Sequence, residues 1–213
     1  MLNAVIKLFH SSIKGLDGPI RPASRAQCDF GAGFYMDPDR LQPLALVCNA
    51  PAPHLYELEL DLTGLSVLHL DAGIDWALFI AYNRGKLEGY KNTQPYRHFE
   101  QLGRDVDVIA GKIANDRMFV VLDRFFNGTI TDSALIACLA SLNIGTQYTA
   151  KTVRACKHVS IIRDVALAPA QCEQYDLLSR NNRAEGVAAA DRICREHRRE
   201  GRFFDEILED WHR

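Results

Sequence analysis

Hydrophobic and polar positions alternate with period two along residues 3–9 (NAVIKLF) and again along residues 54–62 (HLYELELDL), and each run predicts a β-strand. In the second run Tyr56, Leu58 and Leu60 share one face and turn inward, leaving Glu57 and Glu59 on the other. Residues 75–85 (DWALFIAYNRG) repeat their apolar positions at three and four, which predicts a helix carrying Trp76, Phe79, Ile80 and Asn83 or Arg84 on successive turns. Residues 37–50 predict a shorter helix, opened by Asp37 as N-cap and closed near Asn49 by the Pro51-Ala52-Pro53 break. A buried strand is expected at 105–111 (DVDVIAG), with Asp105 and Asp107 on one face, and a helix at 131–142 with Asp132 near its start and Gly145 beyond its end. Residues 145–150 and 158–165 return as strands that complete a sheet. From Pro169 the chain becomes charged and helical, and Phe203, Phe204, Ile207, Leu208 and Trp211 recur at helical spacing, as in a terminal helix that docks on the domain or on a partner. This order predicts an α+β domain at 1–168 followed by a helical C-terminal extension at 169–213.

Composition narrows the class. A chain of 213 residues with 47% hydrophobic content can bury one sizeable core. A net charge of −2 offers no global attraction to nucleic acid or to an anionic membrane. Arginines do gather at 180, 183, 192, 195, 198, 199 and 202, but Glu185, Asp191, Glu196 and Glu200 interleave with them, so a solvated helix face is favoured over a nucleic-acid platform. Six cysteines at 28, 48, 138, 156, 172 and 194 show no metal-like spacing and read as reduced core thiols, so no metal site is expected and a cytoplasmic setting is. No apolar run approaches the roughly 18 residues of a membrane span, and no cleavable leader is visible.

The chemistry concentrates in three places. His10 closes the first strand, where its ring can donate to a ligand hydroxyl, and Ser11 and Ser12 follow with hydroxyls and backbone amides. In Asp29-Phe30-Gly31-Ala32-Gly33-Phe34-Tyr35, the two glycines allow positive φ or close backbone approach, and an aromatic face follows at once. Such a face suits a planar, partly cationic ring. Gln147, in "GTQYTA", adds an acceptor and two donors without charge. Serine-hydrolase, zinc-protease, P-loop and strand-linked GxGxxG motifs are missing.

In order and type, Phe9-His10, "DFGAGFY", Trp76 with Asn83-Arg84, Asp107 before Gly111, and Gln147 resemble the DUF3990 family, and through it the histidine-tyrosine branch of the ADP-ribosyltransferase fold. The resemblance implies a split mixed and antiparallel sheet with flanking helices. NAD would serve as a substrate, with a mono-ADP-ribosyltransferase activity toward a protein, nucleic-acid or small-molecule acceptor. It implies His10, Tyr35 and Gln147 as catalytic residues, and His10, Ser11, Ser12, Phe30, Gly31, Gly33, Phe34 and Tyr35 as the NAD-binding set. Asp107 takes a structural role. Leu46 falls where relatives carry a second stacking aromatic, so Tyr82 or Trp76 would supply that face. The family resemblance further implies a toxin, with an antitoxin or other protein partner on the C-terminal helices. Glutamate is the commoner third residue, so the neutral Gln147 also keeps open a catalytically inactive relative that binds NAD or an ADP-ribosyl ligand and acts as an interaction module.

Overall fold

The computed structural model describes residues 5–51, 53–113, 116–142 and 145–211, without the side chains of residues 116, 117, 182 and 183. The expected start of the first strand at residues 3 and 4, and the Arg183 side chain, lie outside that set. In chain order the elements are β1 (Val5–Ser12), β2 (Phe34–Met36), α1 (Leu41–Val47), β3 (His54–Asp61), β4 (Val67–Leu70) and α2 (Ile74–Asn83). There follow α3 (Gln94–Leu102), β5 (Val108–Lys112), α4 (Asp116–Phe126), α5 (Asp132–Ser141), β6 (Thr146–Ala150), α6 (Val153–Lys157), β7 (Val159–Ala166), α7 (Pro169–Glu196) and α8 (Phe204–Glu209). The class is α+β, as the periodicities predict.

Two sheets face each other. The first is antiparallel, in the order β1-β3-β7; the second runs β2-β6-β5-β4, antiparallel except where β4 meets β5. Alternation along β3 sends Tyr56, Leu58 and Leu60 into the space between the sheets, against Phe34, Met36, Val108 and Ala150 of the second. Leu55 points the other way and packs with Leu44 and Val47 of α1 and Cys172 of α7. β5 is buried on both faces, which is why "VIAG" is an unbroken apolar run: Val108 enters the inter-sheet core while Ile109 joins the helical core of α2, α4 and α5.

The last two helices are not peripheral to that core. Ala190, Ile193, Phe204, Ile207 and Leu208 are all buried in it, so the terminal helix docks on this chain. The exposed arginines at 192, 195, 198, 199 and 202 lie in solvent, and Arg124 and Arg180 pair with Asp191 and Asp176. Among the described residues, no helix is long and apolar enough to cross a membrane. Burial pushes the Cys138 and Cys156 thiols up to about 12 and about 11, which keeps them protonated and unreactive.

Several local expectations are corrected. Asp37 does not cap α1, whose first residue is Leu41; its carboxylate instead accepts the Asp39 amide at 2.8 Å in an Asx turn. Asp105 and Asp107 precede β5 and share no strand face with it. β2, β4 and α6 are too short to stand out by periodicity, whereas α3 and α4 are amphipathic helices that are not among the expected elements. α5 begins at Asp132, as expected, and Thr131 caps it, accepting the Ala134 amide at 3.4 Å.

Candidate functional site

Among the described residues, one backbone bridge joins the two sheets. Phe9 and Asp37 exchange backbone hydrogen bonds of 2.7 and 2.9 Å, so β1 of the first sheet is tied to the strand end that follows β2 of the second. Beside this seam opens a cavity of about 560 Å³, lined by His10 and Ser11 from β1, Tyr35 and Asp37, Gln147 from β6, and residues of α1, α4 and α7. His10, Tyr35 and Gln147, scattered along 138 positions of sequence, therefore meet in one pocket.

His10 is committed on one side. Its Nδ1 lies 2.8 Å from the Tyr35 carbonyl oxygen, which can only accept, so Nδ1 carries the proton and Nε2 is an acceptor in the neutral ring. Burial lowers the His10 pKa, and the bond to Tyr35 opposes this only in part. The ring is thus neutral near pH 7. Its Nε2 is free to act only as an acceptor in that form, where the sequence suggests donation. Phe34, whose ring centroid is 4.3 Å from that of His10, fixes the orientation.

The glycine turn is closed on itself. Tyr35 donates its phenol to the Gly31 carbonyl at 2.7 Å and accepts the Phe30 amide at 3.0 Å, and burial raises its pKa far above the ordinary phenol range. Tyr35 is therefore a fixed ring surface and no proton carrier. Asn83 donates to the Asp29 carbonyl at 3.1 Å, and Arg84 grips Asp29 Oδ1 through Nε at 2.8 Å and Nη2 at 2.5 Å. Burial pushes Asp29 up and Arg84 pulls against it. Lys151 donates to the Phe30 carbonyl, and its own burial lowers its pKa to about 8. Gly31 takes φ +73°, and a Cβ there would sit 2.9 Å from Asn83 Oδ1 and 3.0 Å from Lys151 Nζ.

Other members of the expected NAD-binding set serve the fold. Gly33 has no positive φ; a Cβ would strike Thr149 Cγ2 at 2.3 Å, so its role is to let β2 lie close on β6, away from any ligand. Phe30 is fully buried against Tyr35 and Phe79, and its ring rests on Gly111, where a Cβ would lie 2.6 Å from it. Neither it nor Phe34, Gly31, Gly33 or Ser12 lines the cavity. Ser11 does, but its hydroxyl donates to the Pro43 carbonyl at 2.6 Å, and that of Ser12 to Gly15 at 2.7 Å. Trp76 is fully buried and donates to the Lys112 carbonyl at 2.9 Å, while Tyr82 packs edge-on to Tyr96, so neither supplies a second stacking face. Tyr175 of α7, which periodicity gave no reason to select, lines the cavity instead.

Arg25, Phe119 and Asp37 are further lining residues that motif reading passes over, and Arg84, which the resemblance includes, lines the cavity too. Arg84 lies 4.8 Å above the Phe119 ring, a cation–π contact at the cavity wall. Asp37 is only 3% exposed, and burial pushes its carboxyl up to about 7. Its Oδ2 has no hydrogen-bond partner among the described residues. The signal that could have found it is spacing: residues two apart on a strand share a face, and Asp37 is two beyond Tyr35. Among the described residues, no group of three or more His, Cys, Asp or Glu could hold a metal ion.

No curated protein and no solved structure matches the chain. A family model described as a protein of unknown function, DUF3990, matches residues 6–161, which spans both sheets and every wall of the cavity except α7. The residues of the resemblance now have physical positions: Asn83 and Arg84 hold the glycine turn, Gly111 receives Phe30, and Asp107 ties the loop before β5 to α6. On that match, the chain belongs to the DUF3990 family.

Proposed function

We propose that this protein is a mono-ADP-ribosyltransferase with an ADP-ribosyltransferase-like fold, which breaks the nicotinamide–ribose bond of NAD and passes ADP-ribose to an acceptor. The observation that carries the reading is the convergence of His10, Tyr35 and Gln147 on one cavity whose volume suits a small-molecule site. Tyr35 offers a rigid ring to stack on nicotinamide, Nε2 of His10 accepts from a ribose hydroxyl, and Gln147 orients the same ribose. Arg25, exposed at the rim, is a cation for the pyrophosphate. Rate enhancement would come from holding the ligand where an oxocarbenium-like state is stabilised.

Calorimetry with NAD and a nicotinamide-release assay test this directly. Tyr35→Ala is expected to weaken NAD binding by about 1 kcal/mol or more, through loss of the stacked ring. Equal binding by the variant would remove the pocket from consideration. The neutral Gln147 favours one competing reading, a binding module without turnover; NAD binding accompanied by nicotinamide release at background would select it. A toxin role with a protein antitoxin belongs to the same proposal and is supported by the family resemblance alone.

A further inference from the structure

We propose that Asp37 is a catalytic residue of this site: its carboxylate faces the nicotinamide-side ribose beside Gln147 and supplies the negative charge that position 147 lacks. The inference rests on the NAD-cleaving reading above and assigns it a residue that the resemblance does not.

Position is the first support. In the β2–β6 ladder, Tyr35 pairs with Thr149 and Met36 with Tyr148, so the next residues outward, Asp37 and Gln147, stand at the adjoining register position. Strand alternation puts Phe34 and Met36 on the face of the inter-sheet core, where both are buried, and Tyr35 and Asp37 on the other; Tyr35 and Asp37 line the cavity, and Met36 also touches it. The paired hydrogen bonds to Phe9 hold the Asp37 backbone from the other side, one residue from His10. Asp37, Gln147 and His10 thus surround the same corner of the pocket.

The second support is an unmet demand. Buried carboxylates ordinarily accept several donors or a cation, because a buried charge without partners is strongly penalised. Asp29 has Arg84, and Asp107 has Ser66, Thr152 and Arg154. Asp37 has the Asp39 amide on Oδ1 and nothing among the described residues on Oδ2, although that oxygen is buried and the residue lines a cavity. The turn itself needs only Oδ1, which an asparagine would provide equally well. What Oδ2 lacks is a donor or positive charge; once the side chain turns this buried oxygen toward the cavity that Asp37 lines, the nicotinamide riboside end of NAD offers both, in its hydroxyls and its cationic ring. The carboxyl pushed up to about 7 is the signature of a charge kept waiting for that partner.

In the reaction, the bond between C1 of the ribose and the nicotinamide nitrogen breaks with its electron pair going to nicotinamide, which leaves neutral. Positive charge spreads over C1 and the ribose ring oxygen, and the Asp37 carboxylate stabilises it. A lone pair of the acceptor oxygen, water in the simplest case, closes the new bond at C1, and its proton passes to solvent.

The test uses the full chain with NAD and NADH, which differ at the nicotinamide ring by its positive charge. Calorimetry at pH 8 is expected to show that Asp37→Asn weakens NAD binding on the order of tenfold and weakens binding of NADH, which keeps the ribose hydroxyls but not the ring charge, by clearly less. Nicotinamide release should fall on the order of a hundredfold. Moving the charge one strand over, in the double variant Asp37→Asn with Gln147→Glu, should recover part of both. Gln147→Glu alone should bring no gain, because the charge is already present; this arm does not depend on the folding of any Asp37 variant. A tenfold or larger rise in Gln147→Glu, or an Asp37→Asn protein that matches the wild type in NAD affinity and release, overturns the role of Asp37 and leaves the NAD reading standing. A wild type that binds no NAD overturns both.

Discussion

Asp107 and Asp37 are both buried carboxylates at strand ends of the same four-stranded sheet, and their surroundings are opposite. Asp107 accepts Thr152 Oγ1 at 2.7 Å, the Ser66 amide at 3.1 Å and Arg154 Nη1 at 3.2 Å, and the Thr152 bond leads the causes that lower its pKa. Asp37 accepts one backbone amide, and its pKa is raised by burial. The first arrangement knots the loop before β5 to β4 and α6, and is complete without any ligand. The second is incomplete among the described residues and belongs to a residue that lines a cavity. A buried charge that is fully partnered stabilises a fold, whereas one left half-partnered in a pocket costs stability and points to a ligand.

The sharpest way to break the comparison is to remove each carboxylate and read stability. Asp107→Ala strips four donors, the Ser66 amide and hydroxyl, the Thr152 hydroxyl and Arg154, of their acceptor and is expected to lower the free energy of unfolding by about 3–5 kcal/mol, measured by urea denaturation. Because its pKa is lowered in the folded state, the contribution of Asp107 is present above the ordinary carboxylate range and is lost as pH falls through it. Should Asp107→Ala prove neutral, the knot has no structural weight.

Asp37→Asn is expected to act with the opposite sign. The folded protein holds a proton on Asp37 that the unfolded chain has already released, so stability falls as pH rises from the ordinary carboxylate range to about 7. Asparagine keeps the Asx turn and has no such loss, so at pH 8 the variant should be more stable on the order of 2–4 kcal/mol, and at pH 4 about equal to the wild type. Urea midpoints across that range check it. A destabilised Asp37→Asn at pH 8 would mark Asp37 as a structural residue like Asp107. Greater stability with weaker NAD binding is the trade expected where function is kept against the interest of the fold.

The smallest effect is expected on the surface of α7. Arg180 pairs with Asp176 one turn away, and its side chain is 71% exposed, so Arg180→Ala should change stability by less than about 0.5 kcal/mol. The same variant should leave nucleic-acid affinity and its salt dependence untouched if these arginines are a solvated face. A steep salt dependence that the variant relieves would instead make α7 a nucleic-acid platform.

Periodicity along the chain was enough to place β3 with Tyr56, Leu58 and Leu60 inward, α2 with Trp76 and Phe79 in the core, α5 behind its cap, and the final helix with Phe204, Ile207 and Leu208. Those features depend on neighbours two to four residues away, so a local pattern carries them. The candidates His10, Tyr35 and Gln147 came from the family resemblance, which their chemistry at turns and strand ends accompanies. What each one does was decided only by tertiary contacts. The proton on Nδ1 of His10 follows from a carbonyl 25 positions later, the Ser11 hydroxyl is taken by Pro43, and Gly33 is small because Thr149 lies against it. Asp37 shows the limit most clearly. Its sequence context is that of a helix cap, and nothing nearby in the chain tells that one of its oxygens is buried and without a partner among the described residues. Hydrogen-bond satisfaction of a buried group is settled by residues that the fold brings from far along the chain, and no local pattern encodes them.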